Sequence, residues 1–214
     1  TFMDTIIDRF NNVKSIINNK NVQIIAVSKT FSFEYIRPLV DFGHIHFGEN
    51  KVQEAHSKWG DIRTSNKNIQ LHMIGKLQSN KAKEATKLFD YIHSLDNQKL
   101  ADTLAKCQNN LNKKLRYFIQ VNIGNELQKS GIPANELDAF YYYCTKEKEL
   151  EILGLMVIPP NNTSTKKYFK SINELNTSLA LKELSMGMSA DYTDAIDCGA
   201  TFVRIGSLIF GNRA

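Results

Sequence analysis

The chain has 214 residues and is 42% hydrophobic, enough apolar material for one sizeable globular core, which excludes disordered, collagen-like and low-complexity proteins. The 27 Lys and Arg residues against 22 Asp and Glu residues give a net charge of +5, which suits anionic small molecules and does not by itself require a nucleic acid. The three cysteines, Cys107, Cys144 and Cys198, lack CxxC spacing, so the sequence predicts neither a disulfide framework nor a structural zinc site and favours a reducing, cytoplasmic compartment.

The first 20 residues, TFMDTIIDRFNNVKSIINNK, alternate charged and apolar residues at helical spacing. This pattern predicts an amphipathic first helix, because a signal peptide would carry an unbroken apolar stretch. The most apolar segment, around Leu150–Pro160, is shorter than the roughly 20 residues that a membrane-spanning helix needs. Because the chain has only four prolines and no Pro/Gly/Ser-rich linker, we expect residues 1–214 to form one soluble domain without a membrane partner.

After the first helix, short β-rich runs alternate with stretches of helical periodicity. Strands are predicted at Val22–Ser28, Ile45–Gly48, Gln70–Ile74, Tyr91–Ser94, Arg116–Asn122, Glu151–Val157, Glu183–Met186 and Phe202–Ile205. Helices are predicted at Phe33–Asp41, Lys51–Trp59, Ser79–Phe89, Gln98–Leu111, Asn135–Lys146, Thr165–Leu179 and Tyr192–Ile196. Ser79 and Asn97 are expected to be the N-caps of their helices.

Eight strands that alternate with helices predict an α/β protein, a (β/α)₈ TIM barrel at the small end of its size range. A doubly wound open sheet, the competing fold, would usually contain fewer strands. In a barrel, functional residues lie where each strand ends and the following loop begins.

Polar residues and glycines occur at the ends of these predicted strands. They include Ser28–Thr30, Gly48–Asn50, His72 with Gly75 and Lys76, Asn122, Met156 before Pro159 and Pro160, Met186–Ser189, and Arg204–Ser207. Since the carboxyl ends of barrel strands share one face, we expect these residues to converge on one mouth.

Lys29 directly follows the apolar run IIAV, at the expected rim of the barrel core. Desolvation at that place would lower the pKa of the lysine, and such an amine can act as a Schiff-base nucleophile. A lysine that simply extends into solvent is the alternative, and the strand context alone favours it.

Two turns late in the chain, Gly187–Ser189 and Gly206–Ser207, each offer backbone N–H groups, close backbone approach and a hydroxyl. Barrels commonly build a phosphate site after their seventh and eighth strands, although Gly-Ser pairs are also common in ordinary turns. Arg204 lies two residues before the second glycine and so shares its side of the strand. It is either a structural arginine paired with a carboxylate or, beside a bound phosphate and an imine at Lys29, a partner for a pyridine nitrogen.

Six blocks in order resemble one known family, and they span roughly Val22 to Gly211. The blocks are AVSKT (Ala26–Thr30), GEN (Gly48–Asn50) with KVQEA after it, HMIGKLQSNK (His72–Lys81), GLM (Gly154–Met156), LSMGMSADYTDAI (Leu184–Ile196) and VRIGSLIFG (Val203–Gly211). They are similar to the pyridoxal-phosphate homeostasis proteins, single-domain relatives of the barrel half of bacterial alanine racemase (PLP fold type III).

The resemblance implies a role for eight residues in binding pyridoxal 5′-phosphate (PLP) and links the protein to intracellular vitamin B6 homeostasis. Lys29 would form the internal aldimine with PLP, and Arg204 would face the pyridine nitrogen. The phosphate contacts would be Ser189, Gly206 and Ser207, and the pocket would be lined by Asn50, His72 and Met156. Ser207 stands where many relatives have threonine, and the loops near Asn125–Gly131 and Asn161–Thr165 are shorter than in the family.

A PLP-binding carrier and a PLP-dependent amino-acid racemase are both compatible with these residues. Arginine stays protonated and cannot give the ring nitrogen a full proton, which weakens the cofactor as an electron sink. Racemisation also needs a second acid/base on the face opposite the lysine, which in the racemases is a tyrosine from a C-terminal domain and a second subunit. The chain ends at Ala214 directly after the last barrel element, and the cluster Tyr141–Tyr143 falls on a predicted outer helix, so no such residue is found; His72 is the one candidate near the mouth.

We therefore expect a non-enzymatic, monomeric PLP carrier, whose recipients would be PLP-dependent apoenzymes. A nucleic-acid partner would depend on Lys76, Lys81, Lys83 and Lys87, whose spacing instead favours a solvated helix face. A metal site at His44 and His46 is not expected, because two histidines without a third ligand fall short of a zinc site.

Overall fold

The computed structural model describes residues 2–126, 130–161 and 164–212. Within them, strands β1 to β9 span Gln23–Val27, His46–Glu49, Gln70–Met73, Tyr91–Leu95, Arg116–Asn122, Ile132–Pro133, Glu151–Met156, Glu183–Ser185 and Phe202–Ile205. Helices α1 to α10 span Phe2–Ile17, Phe33–Asp41, Val52–Trp59, Ile62–Ser65, Ala82–Leu88, Gln98–Leu111, Leu137–Tyr142, Lys166–Ser178, Tyr192–Asp197 and Ser207–Phe210.

Eight of the strands form a closed parallel barrel. Their order is β4-β3-β2-β1-β9-β8-β7-β5, and pairing of β4 with β5 closes the ring. The two-residue strand β6 pairs with the end of β5 outside the ring. The predicted (β/α)₈ barrel is confirmed, and the open sheet is excluded because it would leave two strand edges unpaired.

The eight predicted strands all occur, with ends that shift by at most one residue. The helical predictions need two corrections. Ser79 is not an N-cap: it begins a 3₁₀ turn, Ser79–Lys81, so it already lies inside the helical segment that continues into α5. The segment predicted at Asn135–Lys146 is divided into a 3₁₀ turn, α7 and a π-helical stretch, Tyr143–Glu147.

Asn97 caps α6 as predicted, because its side-chain oxygen accepts a hydrogen bond from the Leu100 N–H at 2.9 Å. The two short loops predicted at Asn125–Gly131 and Asn161–Thr165 contain residues 127–129 and 162–163, which lie outside the described residues. In the described part of the chain, no helix is long and apolar enough to cross a bilayer.

The hydrophobic core has two parts. The larger one fills the space between the strands and the surrounding helices, and α1 joins it through the buried side chains of Ile6, Phe10 and Val13. The smaller one lies inside the barrel, where Ile25, Tyr91, Phe118, Met156 and Phe202 pack together. Three members of this inner cluster, Tyr91, Phe118 and Phe202, pack against buried histidine rings inside the barrel.

The predicted outer position of the tyrosine cluster is observed. Tyr141 and Tyr142 belong to α7, Tyr143 begins the π-helical stretch, and the Tyr143 hydroxyl donates to Asp102 on α6. Tyr142 is 59% exposed. These hydroxyls are therefore on the helical layer and away from the strand ends. Lys76, Lys81, Lys83 and Lys87 are likewise exposed, as predicted for a solvated face.

A single buried side chain joins α8 to two barrel strands. The Asn176 amide accepts from the Leu155 N–H at 3.0 Å and donates to the carbonyls of Leu181 and Glu183 at 3.2 and 3.0 Å. Asn176 is only 2% exposed, so no other group replaces these bonds. The strands β7 and β8 thus depend on a helix side chain for their alignment.

We expect Asn176→Ala to lower the free energy of unfolding by about 2–3 kcal/mol, because it removes the partner of the buried Leu155 N–H and of two partly buried carbonyls. Urea unfolding followed by circular dichroism measures the change. Glu174→Ala, an exposed substitution on the same helix, is the control and should change stability by less than about 0.5 kcal/mol. Equal stability of the two variants would contradict the structural role of Asn176.

Candidate functional site

A cleft of about 580 Å³ opens at the carboxyl ends of β1, β2 and β9. Six of the eight predicted site residues line it: Lys29, Asn50, Ser189, Arg204, Gly206 and Ser207. The remaining wall is mainly apolar and consists of Val27, Phe31, Ile74, Ile158, Met188, Ala190, Gly211 and Asn212. The chain therefore brings one lysine, one arginine and two serine hydroxyls together in a single cleft from three separate segments.

Lys29 is held in place by the residues on either side of it. It follows β1 in a turn in which Thr30 adopts a positive φ of 70°, a conformation that is unfavourable for a β-branched residue. The carboxylate of Glu54 compensates by accepting the Thr30 N–H. On the other side, the Ser28 carbonyl accepts from Lys58 Nζ at 2.6 Å.

Glu49, the middle residue of the GEN block, is the centre of this arrangement. Its side chain is 0% exposed, and it accepts from the Lys58 ammonium at 2.9 Å, from the Trp59 Nε1–H at 3.1 Å and from the Ser28 hydroxyl. Burial raises the pKa of Glu49, whereas the charge of Lys58 and these hydrogen bonds act in the opposite direction. This buried ion pair fixes the end of β1, and with it the backbone that carries Lys29.

Arg204 lies on β9 at the floor of the cleft and is 3% exposed. Its Nη1 donates to the Ser185 hydroxyl at 2.6 Å, and its Nη2 donates to the Val157 carbonyl at 3.0 Å. Burial lowers the pKa of Arg204 to about 10, a value that still leaves the guanidinium charged at neutral pH. The nearby Asp191 carboxylate favours the charged form. The floor of the cleft therefore carries a permanent, oriented positive charge.

The turns after β8 and β9 supply hydrogen-bond donors to the same cleft. Among the described residues, the backbone N–H groups of Ser189 and Ala190 and the hydroxyls of Ser189 and Ser207 bond to no other protein group. Gly206, between Arg204 and Ser207, presents its backbone without a side chain. Uncommitted N–H and O–H donors close to two cationic side chains are a donor set that suits a phosphate or another small oxyanion.

Asn50 reaches the cleft because the chain after β3 passes very close to it. A Cβ atom on Gly75 would lie 2.4 Å from the Asn50 carbonyl oxygen, so only glycine fits there. Asn50 follows Glu49 directly, so the same buried carboxylate that supports Lys29 also fixes its neighbour on the opposite wall. Gly75 and Glu49 thus give a structural reason for two of the sequence blocks, HMIGKLQSNK and GEN.

His72 and Met156 are not on the wall of the cleft, which corrects their predicted placement. Both are 0% exposed. The ring of His72 points into the barrel at the level of Tyr91, against which it stacks with a 4.1 Å separation between ring centroids. Met156 belongs to the apolar cluster inside the barrel. The alternation of side chains along a strand turns both residues inward, beneath the mouth and not towards it.

His72 is part of a chain of histidines inside the barrel. Its Nε2 lies 2.9 Å from His46 Nδ1, and its Nδ1 lies 2.9 Å from His93 Nε2. His93 Nδ1 in turn lies 2.7 Å from the Ser185 hydroxyl, which Arg204 also contacts. Desolvation lowers the pKa of His72 and of His93 well below the ordinary value, and it lowers that of His46 to about 4. All three rings are therefore neutral at pH 7.

The sequence analysis missed Glu49, Lys58, Ser185 and His93 as parts of the site. Glu49 lies within the GEN block. Ser185 and His93 lie within predicted strands, and each is two residues away from a residue that faces the barrel interior. Because strand side chains two residues apart point to the same face, this alternation was the available signal that Ser185 and His93 face inward. Lys58 carries no such signal, because nothing in its helix distinguishes a buried lysine from an exposed one.

The pair His44 and His46 has hydrogen-bond partners within the protein. His44 Nε2 lies 2.9 Å from the Ile24 carbonyl, and His46 bonds to His72. In the described part of the chain, no group of three or more His, Cys, Asp or Glu side chains is arranged to hold a metal ion.

The alanine racemase N-terminal domain family model matches residues 3–214. The pyridoxal phosphate homeostasis protein of Aquifex aeolicus (strain VF5) is 38% identical over 200 residues, which are 89% of this chain and 87% of that protein. The corresponding protein of Escherichia coli (strain K12) is 34% identical over 203 residues, which are 91% and 87% of the two chains. The chain belongs to the pyridoxal phosphate homeostasis protein family.

Solved structures agree with this membership. PipY of Synechococcus elongatus PCC7942, determined with PLP bound, is 36% identical and superposes with a TM-score of 0.89 over 96% of this chain and 100% of its own. An alanine racemase of Clostridium difficile 630 is 14% identical with a TM-score of 0.78 and covers 98% of this chain but 57% of its own. The racemase shares the barrel fold of this family.

We expect Lys58→Met to lower the free energy of unfolding by about 3–5 kcal/mol near pH 8, because it leaves the buried Glu49 carboxylate without its cation. Loss of the cation raises the pKa of Glu49 further, so the folded variant binds a proton more readily than the unfolded chain. The deficit relative to the parent protein should therefore shrink as the pH falls towards 5.

Urea unfolding of both proteins at several pH values provides the measurement. In the double variant Lys58→Met with Glu49→Gln, the unpaired buried carboxylate is absent, so the deficit near pH 8 should be smaller than in the single variant. A pH-independent deficit in the single variant would contradict an ionised, Lys58-dependent Glu49.

The buried histidines predict that the protein loses stability in acid. Unfolded histidine takes up a proton near pH 6.5, whereas burial lowers the pKa of His44 and His46 to about 4 in the folded protein. Between these values the unfolded state binds more protons, so stability falls as pH falls. At pH 5 each such histidine should cost about 2 kcal/mol relative to pH 8.

Urea midpoints measured from pH 8 to pH 5 test this expectation. His44→Gln removes one titrating group and should flatten the pH dependence, whereas His56→Gln, at an exposed position, should leave it unchanged. A pH dependence that is the same in all three proteins would show that His44 does not contribute.

Proposed function

We propose that the protein binds PLP in the cleft, retains it covalently through Lys29, and serves intracellular vitamin B6 homeostasis as a carrier of the cofactor. The observation that carries the proposal is the meeting of Lys29, Arg204 and the serine turns in one cleft. Membership of the pyridoxal phosphate homeostasis protein family and the PLP bound to PipY support it.

The residues of the cleft fit three of the polar parts of PLP: the phosphate, the pyridine nitrogen and the aldehyde. The uncommitted donors of Ser189, Ala190 and Ser207 suit its phosphate, and Gly206 allows the backbone to approach closely. Arg204 suits the pyridine nitrogen, because a guanidinium donates a hydrogen bond without transferring its proton. Asn50 and the apolar wall would flank the ring. When bound, PLP supplies an aldehyde that condenses with a primary amine, and Lys29 Nζ is the amine that the cleft presents.

Two features of the cleft favour a carrier over a racemase. Arg204 keeps its proton at neutral pH, which leaves the ring a weak electron sink. Among the described residues that line the cleft, there is no tyrosine, cysteine or histidine to act as a second acid/base on the face opposite Lys29. His72, the earlier candidate, is buried and bonded to two other histidines.

We further propose that the carrier is a monomer of the cytoplasm and that PLP-dependent apoenzymes receive its cofactor. Three unpaired cysteines support a reducing compartment, since Cys107 is partly exposed and Cys144 and Cys198 are buried away from one another in the core.

Incubation with PLP should produce a visible absorption band, and borohydride should then fix the cofactor on the peptide that contains Lys29. Lys29→Ala should show no reducible adduct and an unchanged thermal midpoint, because the residue lies in a turn and not in the core. Lys76→Ala, an exposed lysine after another strand, is the matched control and should label normally. A full yield of adduct in Lys29→Ala would overturn the assignment.

The same preparations distinguish the phosphate contacts and the activity. Ser189→Ala and Ser207→Ala should each weaken PLP binding about tenfold, the loss of one charge-assisted hydrogen bond, and should leave the weaker binding of pyridoxal unchanged. Interconversion of D- and L-alanine should be undetectable. Clear turnover would instead establish the racemase alternative and require a second acid/base.

A further inference from the structure

An unbroken line of side-chain hydrogen bonds runs from the floor of the cleft through the barrel. It passes from Arg204 to Ser185, then to His93, His72 and His46, with successive distances of 2.6, 2.7, 2.9 and 2.9 Å. Every member is buried, and His46 lies at the edge of a second cleft, at the amino-terminal end of the strands. Burying so many polar groups inside a barrel core costs solvation energy, and hydrogen bonds offset that cost only where a donor faces an acceptor. The positions of the hydrogen atoms along the line are therefore important.

The hydrogen atoms along this line are ordered by its first member. Arg204 can only donate, so the Ser185 oxygen accepts from it; among the described residues, Nδ1 of His93 is the only other partner of the Ser185 hydroxyl and so receives its single hydrogen. A neutral imidazole that accepts at Nδ1 carries its hydrogen on Nε2. His93 therefore donates to Nδ1 of His72, and His72, by the same reasoning, donates to Nδ1 of His46.

The rings themselves have no freedom to change partners. His72 stacks on Tyr91, and His93 stacks on Phe118 with 4.5 Å between ring centroids. Phe202 packs against both histidines. Reversal of one ring's hydrogen would place two N–H groups, or two lone pairs, against each other unless every following ring reversed as well. The ring hydrogens of the three histidines can therefore change position only together.

We propose that Ser185, His93 and His72 are positioning residues that hold the Arg204 guanidinium in one orientation at the floor of the cofactor cleft, through hydrogen bonds of fixed direction. Ser185 holds Nη1, and the Val157 carbonyl holds Nη2 from the adjacent strand end. Because Nη1 and Nη2 are held in this way, the remaining N–H bonds of the Arg204 guanidinium have a fixed direction. The benefit for cofactor binding rests on the proposed function, whereas the ordering of Arg204 is a property of the protein alone.

The ordering is tested first without cofactor. In protein with ¹⁵N-labelled histidine, long-range ¹H–¹⁵N spectra at pH 7 should show His46, His72 and His93 as neutral Nε2–H tautomers, assigned by single substitutions. In protein with ¹⁵N-labelled arginine, hindered rotation should give Arg204 separate Nη signals. A Nδ1–H tautomer or a charged ring at His72 or His93 would overturn the proposal, whatever the protein does with PLP.

Two substitutions at Ser185 separate the hydroxyl from its surroundings. Ser185→Ala should merge the Arg204 Nη signals and weaken PLP binding about tenfold. Ser185→Thr retains the hydroxyl and should restore separate signals and binding to within about twofold. Unchanged Arg204 signals in Ser185→Ala would refute the positioning role. Separate signals in a parent protein that fails to bind PLP would instead refute only the proposed function.

His72→Phe tests whether the line acts beyond Ser185, since it keeps a ring beside Tyr91 but removes the acceptor of His93. His93 should keep its Nε2–H tautomer, because Ser185 still donates to its Nδ1, but its Nε2–H loses its acceptor and PLP binding should weaken about threefold. PLP binding equal to that of the parent would contradict the role given to His72. Thermal unfolding of each variant verifies that it is folded.

Discussion

The hydrogen bonds between β4 and β5 close the sheet into a ring, and the rest of the structure depends on this closure. An open parallel sheet would leave its interior face to be covered by helices. Closure instead gives the chain an enclosed interior, and the direct pairing of β1 with β9 places the carboxyl ends of the first and last strands of the ring side by side. Lys29 and Arg204, 175 positions apart in the chain, line the same cleft for this reason.

The interior of the ring is unusual in its polarity. Three neutral histidines, a serine and a buried arginine lie beside its apolar cluster, and the histidine rings contact Tyr91, Phe118 and Phe202. A core of aliphatic side chains would give more stability at low pH, because buried histidines resist protonation. These buried polar groups lower the stability of the protein in acid, but they also set the orientation of the charged Arg204 guanidinium from within the barrel. The two hydrogen bonds described above for the arginine go to neutral groups, the Ser185 hydroxyl and the Val157 carbonyl.

The lysine of the cleft is supported in a different way. It lies in a turn with an unfavourable backbone conformation at Thr30, and the carboxylates of Glu49 and Glu54 and the ammonium of Lys58 hold the turn from behind. Isolated buried ion pairs contribute little net stability, so the role of these charged groups is to fix the position of the turn that carries Lys29. Polar groups outside the cleft thus fix each of the two cationic side chains inside it.

The sequence by itself determined the barrel, the order of its main elements and six of the residues that line the cleft. Hydrophobic periodicity is local, so each of the eight barrel strands could be located to within one residue, and the six blocks identified Lys29, Asn50, Ser189, Arg204, Gly206 and Ser207. The short elements β6, α4 and α10 were not predicted. Helix ends were less certain, as Ser79 illustrates, because a 3₁₀ turn and an α-helix share the same starting residues.

Only the tertiary structure decided which way His72 and Met156 point and which groups they meet. The direction of a strand side chain depends on the twist and register of the whole ring, and a shift of one residue exchanges the inside for the outside. The partners of Glu49 and Ser185 come from segments that are distant in the chain, Lys58 and Arg204 among them. Such pairings follow from three-dimensional closure, which no local pattern of residues encodes.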